Sequence, residues 1–347
     1  MTQPSPNLAL PTASPELTER LLGGLAAVDA RLRSVVDHED PFIAQASLHL
    51  AEAGGKRFRP MLTLLAAELG SGINDDVVTA ATGVELTHLA SLYHDDVMDE
   101  ADLRRGVVSV NARYGNSTAI LVGDLLFGKA SELVAALGTE AVRIQARTFV
   151  RLCSGQIRDD RPAPGGVDPI DYYLGVLADK TGVLVAAAAR LGAMFGGCPP
   201  STVDIMGRYG EQLGIAFQLA DDLLDISSVS GESGKEPGTD LREGVATLPV
   251  LLVRRSTDPA DERLKELIGD GLEVRSDLHD DALHSEALRL LRAHPAMGEA
   301  RERTNAVALG AQELLAPLAR GLPADSPAGD SVAALSALVV SVVNRAG

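Results

Sequence analysis

Apolar residues recur every three or four positions through most of this chain, and that period leaves little choice of fold class. Between Leu17 and Asp37 they fall at Leu21, Leu22, Leu25, Val28, Leu32 and Val35, the mark of an amphipathic helix. The alternation with β-branched residues that signals strands is hard to find. Clustered breakers punctuate the pattern. RPAPGGVDP at 161–169, GGCPP at 196–200, SGESGKEPG at 230–238 and GLPADSPAGD at 321–330 read as loops. No long linker, charge shift or fixed-period repeat divides the 347 residues. The expectation is an all-α protein, with residues 1–15 a flexible tail and 16–347 a single helical domain.

Some segments are apolar all round. GVLVAAAARLGAMF at 182–195 belongs in the centre of a bundle, where its alanines allow close helix approach. VAALSALVVSVV at 332–343 falls short of the roughly 20 apolar residues that span a bilayer, so it reads as a buried final helix or a subunit contact. The opening MTQPSPNLALPTASP lacks the basic start and long apolar run of a signal peptide. Cys153 and Cys198 form neither a zinc-ligand spacing nor a disulfide framework, which fits a reducing, cytoplasmic setting. A net charge of −17 argues against broad nucleic-acid binding, though not against a local basic pocket.

The acidic residues are unevenly placed. In HDDVMDEADLRRG, residues 94–106, Asp95 and Asp99 lie one helical turn apart with Asp96 beside them. Like charges at that spacing cost a helix a few tenths of a kcal/mol each. The preceding VELTHLASLYH is largely apolar, so the cluster should end a buried helix. Carboxylates in such a place must be paired, protonated or bound to a cation. QLADDLLDI at 218–226 repeats D-D-x-x-D with Asp221, Asp222 and Asp225. One such run is compatible with a solvated face; two, each after an apolar helical run, are not easily explained that way. Oxygen ligands without Cys or His partners select a hard cation. Mg²⁺ binds through one or two carboxylates and completes its shell with waters and substrate phosphates. Together the clusters suggest Mg²⁺ bridging a diphosphate; His94 beside the first could ligate a metal, but reads rather as a structural residue or hydrogen-bond donor.

A diphosphate also needs basic groups. GGKRFRP at 54–60 offers Lys56, Arg57 and Arg59 after a glycine pair, although it is not a Walker loop. Arg104 and Arg105 follow the first acidic cluster, Lys180 lies in ADKTG and Lys235 in GKEPG. Each alone could be a surface charge. Jointly they read as two anion sites around one metal centre.

GGKRFRP, HDDVMDEADLRRG, DKTG, QLADDLLD and GKEPGTDLREGVATLP stand in an order that resembles the trans-polyprenyl diphosphate synthases, long-chain type. The resemblance runs from the first of these to TLP at 247–249, and the C-terminal third carries no matching motif. It implies an isoprenoid-synthase-type helical bundle around a deep central cavity, usually homodimeric. It implies Mg²⁺, three ions per active site. The implied reaction is head-to-tail condensation of an allylic diphosphate with isopentenyl diphosphate, releasing diphosphate, and transient membrane contact would accompany product release.

Residue by residue, Asp95 and Asp99 resemble the first metal-binding pair, with Asp96 in support. Asp221 resembles the second-motif ligand, with Asp225 acting through water. Arg104, Lys180, Thr181, Gln218 and Lys235 resemble the groups that hold the allylic diphosphate. Lys56, Arg59, His88 and Arg105 resemble those for isopentenyl diphosphate. Asp240 would orient Lys235. Val245 stands where many members carry a lysine, which puts one contact on the allylic side in doubt. Ala90 and Ser91, five and four residues before Asp95, are small where short-chain members usually place an aromatic. The growing tail should therefore pass, with Leu86, Thr87 and Phe127 as candidate floors. The implied product is C30 to C50 for a quinone side chain, with C20 as the alternative. A class I terpene cyclase would show a second motif rich in Asn, Ser and Glu and more aromatics than the 3% here. A non-catalytic partner subunit would not need both aspartate motifs intact.

Overall fold

A computed structural model describes residues 13–159, 161–228, 237–269, 278–320, 322–323 and 326–344. The chain begins with α1 (Pro15–Val36), α2 (Pro41–Glu52), α3 (Phe58–Ala67) and α4 (Asp75–Met98). A hairpin of β1 (Leu103–Arg104) and β2 (Val107–Val108) follows, then α5 (Val110–Tyr114) and α6 (Asn116–Ala135). α7 (Thr139–Asp159) and α8 (Pro169–Leu177) lead to a π-helical turn, Ala178–Gly182, that continues as α9 (Val183–Phe195). After α10 (Pro200–Ser227) come α11 (Thr239–Arg242), α12 (Leu248–Arg255), α13 (Glu262–Ile268), α14 (Asp281–Ala293), α15 (Pro295–Ala319) and α16 (Pro327–Val343).

Helix starts are written locally. Ser14-Pro15, Asp40-Pro41 and Asp168-Pro169 each pair a capping side chain with a proline that has no amide to satisfy. Asn74 caps α4 by accepting from Val77 N, with Asp75 and Asp76 in the first turn, where the helix dipole favours them. The last two residues of the segment expected as a tail, 1–15, belong to the start of α1 instead. Ser14 caps α1, its amide and hydroxyl donate to the Asp330 carboxylate, and Pro15 is already helical. Residues 1–12 lie outside the described residues, as do 229–236, which hold Lys235.

The chain divides into two compact units whose segments alternate along the sequence. The first comprises Met1–Phe149, Leu184–Gly210 and Leu315–Ala337. Its central element is α4, buried on nearly every face and packed against α1, α3 and α6. Small residues set the helix spacing. A Cβ on Gly192 of α9 would lie 2.1 Å from Thr63 O in α3, and one on Gly196 would lie 2.6 Å from Ala67 Cα. The expected all-round burial of the alanine-rich 182–195 segment is therefore met by direct backbone approach. Tyr209 closes this unit's core by donating its hydroxyl to Leu335 O at 2.8 Å.

The second unit comprises Val150–Val183, Glu211–Leu314 and Leu338–Gly347. In it α8 packs on α12 and α13 on α14. Arg292 of α14 donates to Ile226 O and Ser228 O, both at 2.6 Å, and so satisfies carbonyls at the end of α10. Among the described residues no helix is long and apolar enough to cross a membrane.

Gly192→Ala should destabilise the protein by roughly 1–3 kcal/mol, the range for overpacking a tight contact. Denaturant unfolding measures it; an unchanged midpoint would show that α3 and α9 can separate without cost.

Candidate active site

Both D-D-x-x-D motifs fall at the C-terminal ends of helices. Asp95 and Asp96 occupy the last turn of α4 and Asp99 is its C-cap; Asp221, Asp222 and Asp225 lie in the last two turns of α10. That is the end where the helix dipole disfavours negative charge, by about 0.3–1 kcal/mol per group. The two motifs share a second property. The middle aspartate is buried, Asp96 at 0% and Asp222 at 5% exposure, while Asp95, Asp99, Asp221 and Asp225 reach solvent. An α-helix places i and i+4 on one face, so each motif offers an outer pair and turns its middle residue inward.

The inward residues are held by protein. Asp96 Oδ1 accepts from Arg104 Nε at 2.5 Å, and Arg104 Nη2 lies 3.7 Å from Asp99 Oδ2. In the second unit Tyr173 donates its hydroxyl to Asp222 Oδ2, and Gln218 Nε2 donates to Asp222 Oδ1 at 3.0 Å. Burial pushes the Asp222 carboxyl up to about 6, with these two donors pulling the other way. Gln218 Oε1 in turn accepts from Thr181 Oγ1 at 3.3 Å, so Thr181, Gln218, Asp222 and Tyr173 form one chain of contacts. Lys180 Nζ donates to Asp159 Oδ2 at 2.6 Å. Asp225 accepts from Thr239 N and Asp240 N, both at 3.2 Å, and so joins α10 to the start of α11. That short helix is tied to α14 as well: His284 Nε2 meets Gly238 O at 2.9 Å and Arg242 reaches His284 Nδ1 at 3.3 Å.

The basic residues of the first unit gather around α4. Arg57 sits in left-handed backbone (φ 47°), and its guanidinium bonds Glu85 at 2.8 Å, Asp29 at 2.9 Å and Ala51 O at 2.9 Å. It therefore braces the turn instead of presenting charge outward, unlike the exposed Lys56. Lys56 is exposed, and Arg59 keeps a buried Nε with no hydrogen-bond partner. Burial lowers the Arg59 pKa. Arg105 comes from the hairpin's two-residue loop, where it (φ 54°) and Gly106 (φ 78°) both take positive φ. Its guanidinium donates to Leu50 O at 3.2 Å and to Gly54 O, and lies where a Cβ on Gly55 would be only 3.0 Å away. His88 is pushed well below its ordinary pKa by burial and by Arg59, Arg105, Arg104 and Arg57. Half-buried cations, one orphaned donor and a neutral imidazole make a site suited to an anion with several oxygens.

The carboxylates fit a divalent cation. Among the described residues no three His, Cys, Asp or Glu side chains converge on one point. An outer pair of oxygen donors per motif is what Mg²⁺ takes from protein when phosphates complete its shell. His94 is structural, with Nε2 3.1 Å from Ile120 O, and Gly123 makes room for its ring.

The residues expected to govern product length differ in their surroundings. Ala90 is fully buried in the core with Leu86, Tyr93, Leu126 and Ala130. Ser91 and Thr87 lie on the stripe that leads to Asp95, one and two turns below it. Phe127 on α6 stacks on Phe149 at 4.2 Å and on His94 at 5.7 Å. Asp159, Tyr173 and Glu85 carry no motif of their own, and only their contacts identify them.

An all-α fold with a D-D-x-x-D motif in each unit and a cluster of arginines in the first is the pattern of a prenyltransferase. The polyprenyl synthetase family model matches residues 40–284, and the chain belongs to that family. The nonaprenyl diphosphate synthase of Mycobacterium tuberculosis is 46% identical over 325 residues, 93% of either chain. A decaprenyl diphosphate synthase from Rhodobacter capsulatus superposes with a TM-score of 0.83 at 34% identity, covering 96% of this chain and 99% of its own. A geranylgeranyl pyrophosphate synthase from Corynebacterium glutamicum, complexed with calcium and isoprenyl diphosphate, gives 0.82 at 40% identity, covering 96% and 98%.

The positive surroundings of His88 give a substrate-free test. Its ring should titrate below the ordinary histidine range in an NMR pH series, and Arg59→Ala should raise that midpoint because a charge opposing protonation is removed. An ordinary midpoint unmoved by Arg59→Ala would mean the two side chains are not neighbours.

Proposed function

We propose that this chain is a long-chain trans-polyprenyl diphosphate synthase that condenses isopentenyl diphosphate with an allylic diphosphate, using Mg²⁺, to give a C30 to C50 product for a quinone side chain. The observation that carries the reading is the repeated arrangement of each aspartate motif, an outer pair that reaches solvent and a buried inner residue held by protein donors. The 46% identity to a nonaprenyl diphosphate synthase supports the chain length. A C20 product is the second reading, supported by the 40% identity to a geranylgeranyl pyrophosphate synthase. We also propose that residues 16–347 act as one prenyltransferase domain, since the divisions between the two units fall inside α7, α9, α10, α15 and α16.

In this reading Asp95, Asp99 and Asp221 would hold Mg²⁺, with three ions expected per active site, and Asp225 would act through water. Bound Mg²⁺ supplies charge neutralisation for the leaving diphosphate. Arg104, Lys180, Thr181, Gln218 and Lys235 bind and orient the allylic diphosphate. Lys56, Arg59, His88 and Arg105 hold isopentenyl diphosphate. The allylic C–O bond breaks with its electron pair going to diphosphate. The isopentenyl double bond then forms the new C–C bond, and the proton lost from the adduct passes to the released diphosphate. The positive groups favour the charge that develops on the leaving oxygen, so they act chiefly on the transition state. A homodimer is proposed from exposed apolar side chains, Ile120 and Leu121 on α6 and, in the second unit, Val150 and Ile157 on α7. A cytoplasmic enzyme with transient membrane contact during product release completes the reading.

Asp95→Ala and Asp221→Ala should each lower kcat by about a hundredfold or more, as loss of charge-stabilising groups does. Near-normal turnover in both would sink the assignment. Incubation with Mg²⁺, labelled isopentenyl diphosphate and a series of allylic primers sizes the product, and a C20 limit would decide for the second reading. Ser91→Phe should shorten the product; an unchanged spectrum would show that the tail does not pass α4 on this stripe. Ala90→Phe should shorten the product as well; both positions are buried, so the folding of each variant is checked by circular dichroism.

A further inference from the structure

The turn at Ala178–Gly182 carries Lys180 and Thr181, and its backbone follows the π pattern, with Val183 N bonded to Ala178 O. Such turns are rare, and the same residues in an α-helix would keep more regular hydrogen bonds. Something must hold this one open. The element that does so is a stripe of α7: Arg151, Gly155 and Arg158, at i, i+4 and i+7 on one face. The two arginines straddle the glycine. Arg151 Nε donates to Asp179 Oδ1 at 2.7 Å, and Arg158 Nη1 donates to Asp179 Oδ2 at 2.9 Å. Between them Gly155 admits the backbone of the turn, since a Cβ there would lie 2.5 Å from Lys180 N and 2.8 Å from Asp179 C.

The seat has a second side. Arg151 Nη2 also donates to Glu211 Oε1 of α10 at 2.8 Å. α10 passes so close to the turn that a Cβ on Gly182 would lie 3.0 Å from Glu211 O. Arg158 is itself steadied, its guanidinium 4.8 Å from the centre of the Tyr172 ring. Asp179 is 19% exposed, so its two ion pairs are less screened than surface pairs. Returning the turn to α register would rotate the residues on one side of it by about 100° relative to those on the other. Lys180 and Thr181 would then leave Asp159 and Gln218.

We propose that Asp179, seated by Arg151 and Arg158 across Gly155, is a positioning residue that keeps this turn in π register and so sets Lys180 and Thr181 for the allylic diphosphate. The proposal rests on the reading that Lys180 and Thr181 hold that substrate. It assigns Asp179 no contact with substrate. It also makes the effect one-sided, because the isopentenyl diphosphate anchors Lys56, Arg59, His88 and Arg105 belong to the first unit.

The test compares Asp179→Asn, which keeps the shape and removes the charge, with Gly155→Ala, which fills the seat. Both should raise KM for the allylic primer about tenfold, as loss of a charge-assisted hydrogen bond does, and leave KM for isopentenyl diphosphate within about twofold. Calorimetric binding of a non-reacting allylic thiodiphosphate should weaken to match. Amide exchange across 178–183 should speed up in both variants. Arg158→Lys should restore part of what Arg158→Met loses. Equal changes in both KM values, or unchanged exchange at 178–183 in both variants, would overturn the proposal. Lys180→Ala separates it from the reading beneath it. If Lys180→Ala leaves allylic binding unchanged, that reading fails and the proposal with it. If Lys180→Ala weakens binding while Asp179→Asn does not, the proposal alone fails.

Discussion

Negative charge gathered at the wrong ends of two buried helices is the constraint on which the rest of this structure depends. Each helix carries three carboxylates near its C-terminus, where its own carbonyls already present negative potential. The fold meets part of that cost with protein groups. Arg104 pairs with Asp96, Tyr173 and Gln218 hold Asp222, and two backbone amides reach Asp225. The outer pair of each motif is left reaching solvent. Carboxylates so placed are destabilising in the bare protein, and the proposed function gives that cost a purpose, since a bound divalent cation would offset it.

The cationic side follows a similar division of labour. Arg57 and Arg105 both adopt left-handed backbone, at a cost on the order of 1 kcal/mol each. Arg57 is repaid by Glu85 and Asp29 and in return braces the glycine turn from which Lys56 and Arg59 project. Arg105 lies over that same turn, admitted by the missing side chain of Gly55. Local strain in both cases is held in place by contacts from other helices, the usual condition for strain at a functional site. The π-turn of the second unit has the same logic, with Asp179 taking the role of brace.

Much of this was legible in the residues. The three-and-four spacing from Leu21 to Val35 announced a helix that runs Pro15–Val36, and the alanine-rich run at 182–195 appears as α9 from Val183. The order of the motifs pointed to the polyprenyl synthetases, and the family match agrees. Other features left no local mark. Two-residue strands are too short for alternation to show, so the sequence gives no sign of the hairpin that carries Arg104 and Arg105. ADKTG fits an α-helix as well as a π-turn, because the difference is made by Gly155 some 25 positions earlier. Ala90 and Ser91 look equivalent in sequence and both are buried, yet they sit on different faces of α4 and Ser91 is the one a single turn below Asp95.

The sequence by itself determined the class of fold, the starts of the helices and the pairing of acidic with basic motifs. Those properties follow from periodicity, caps and charge, all local. Tertiary structure decided which member of each motif does what. Asp96 and Asp222 turn inward because their helix faces are covered, Arg57 becomes a brace because Glu85 lies beneath it, and the His88 pKa is lowered by burial first and by four arginines second. Burial and neighbours separate residues of identical chemistry, and neither is written in the order of the chain.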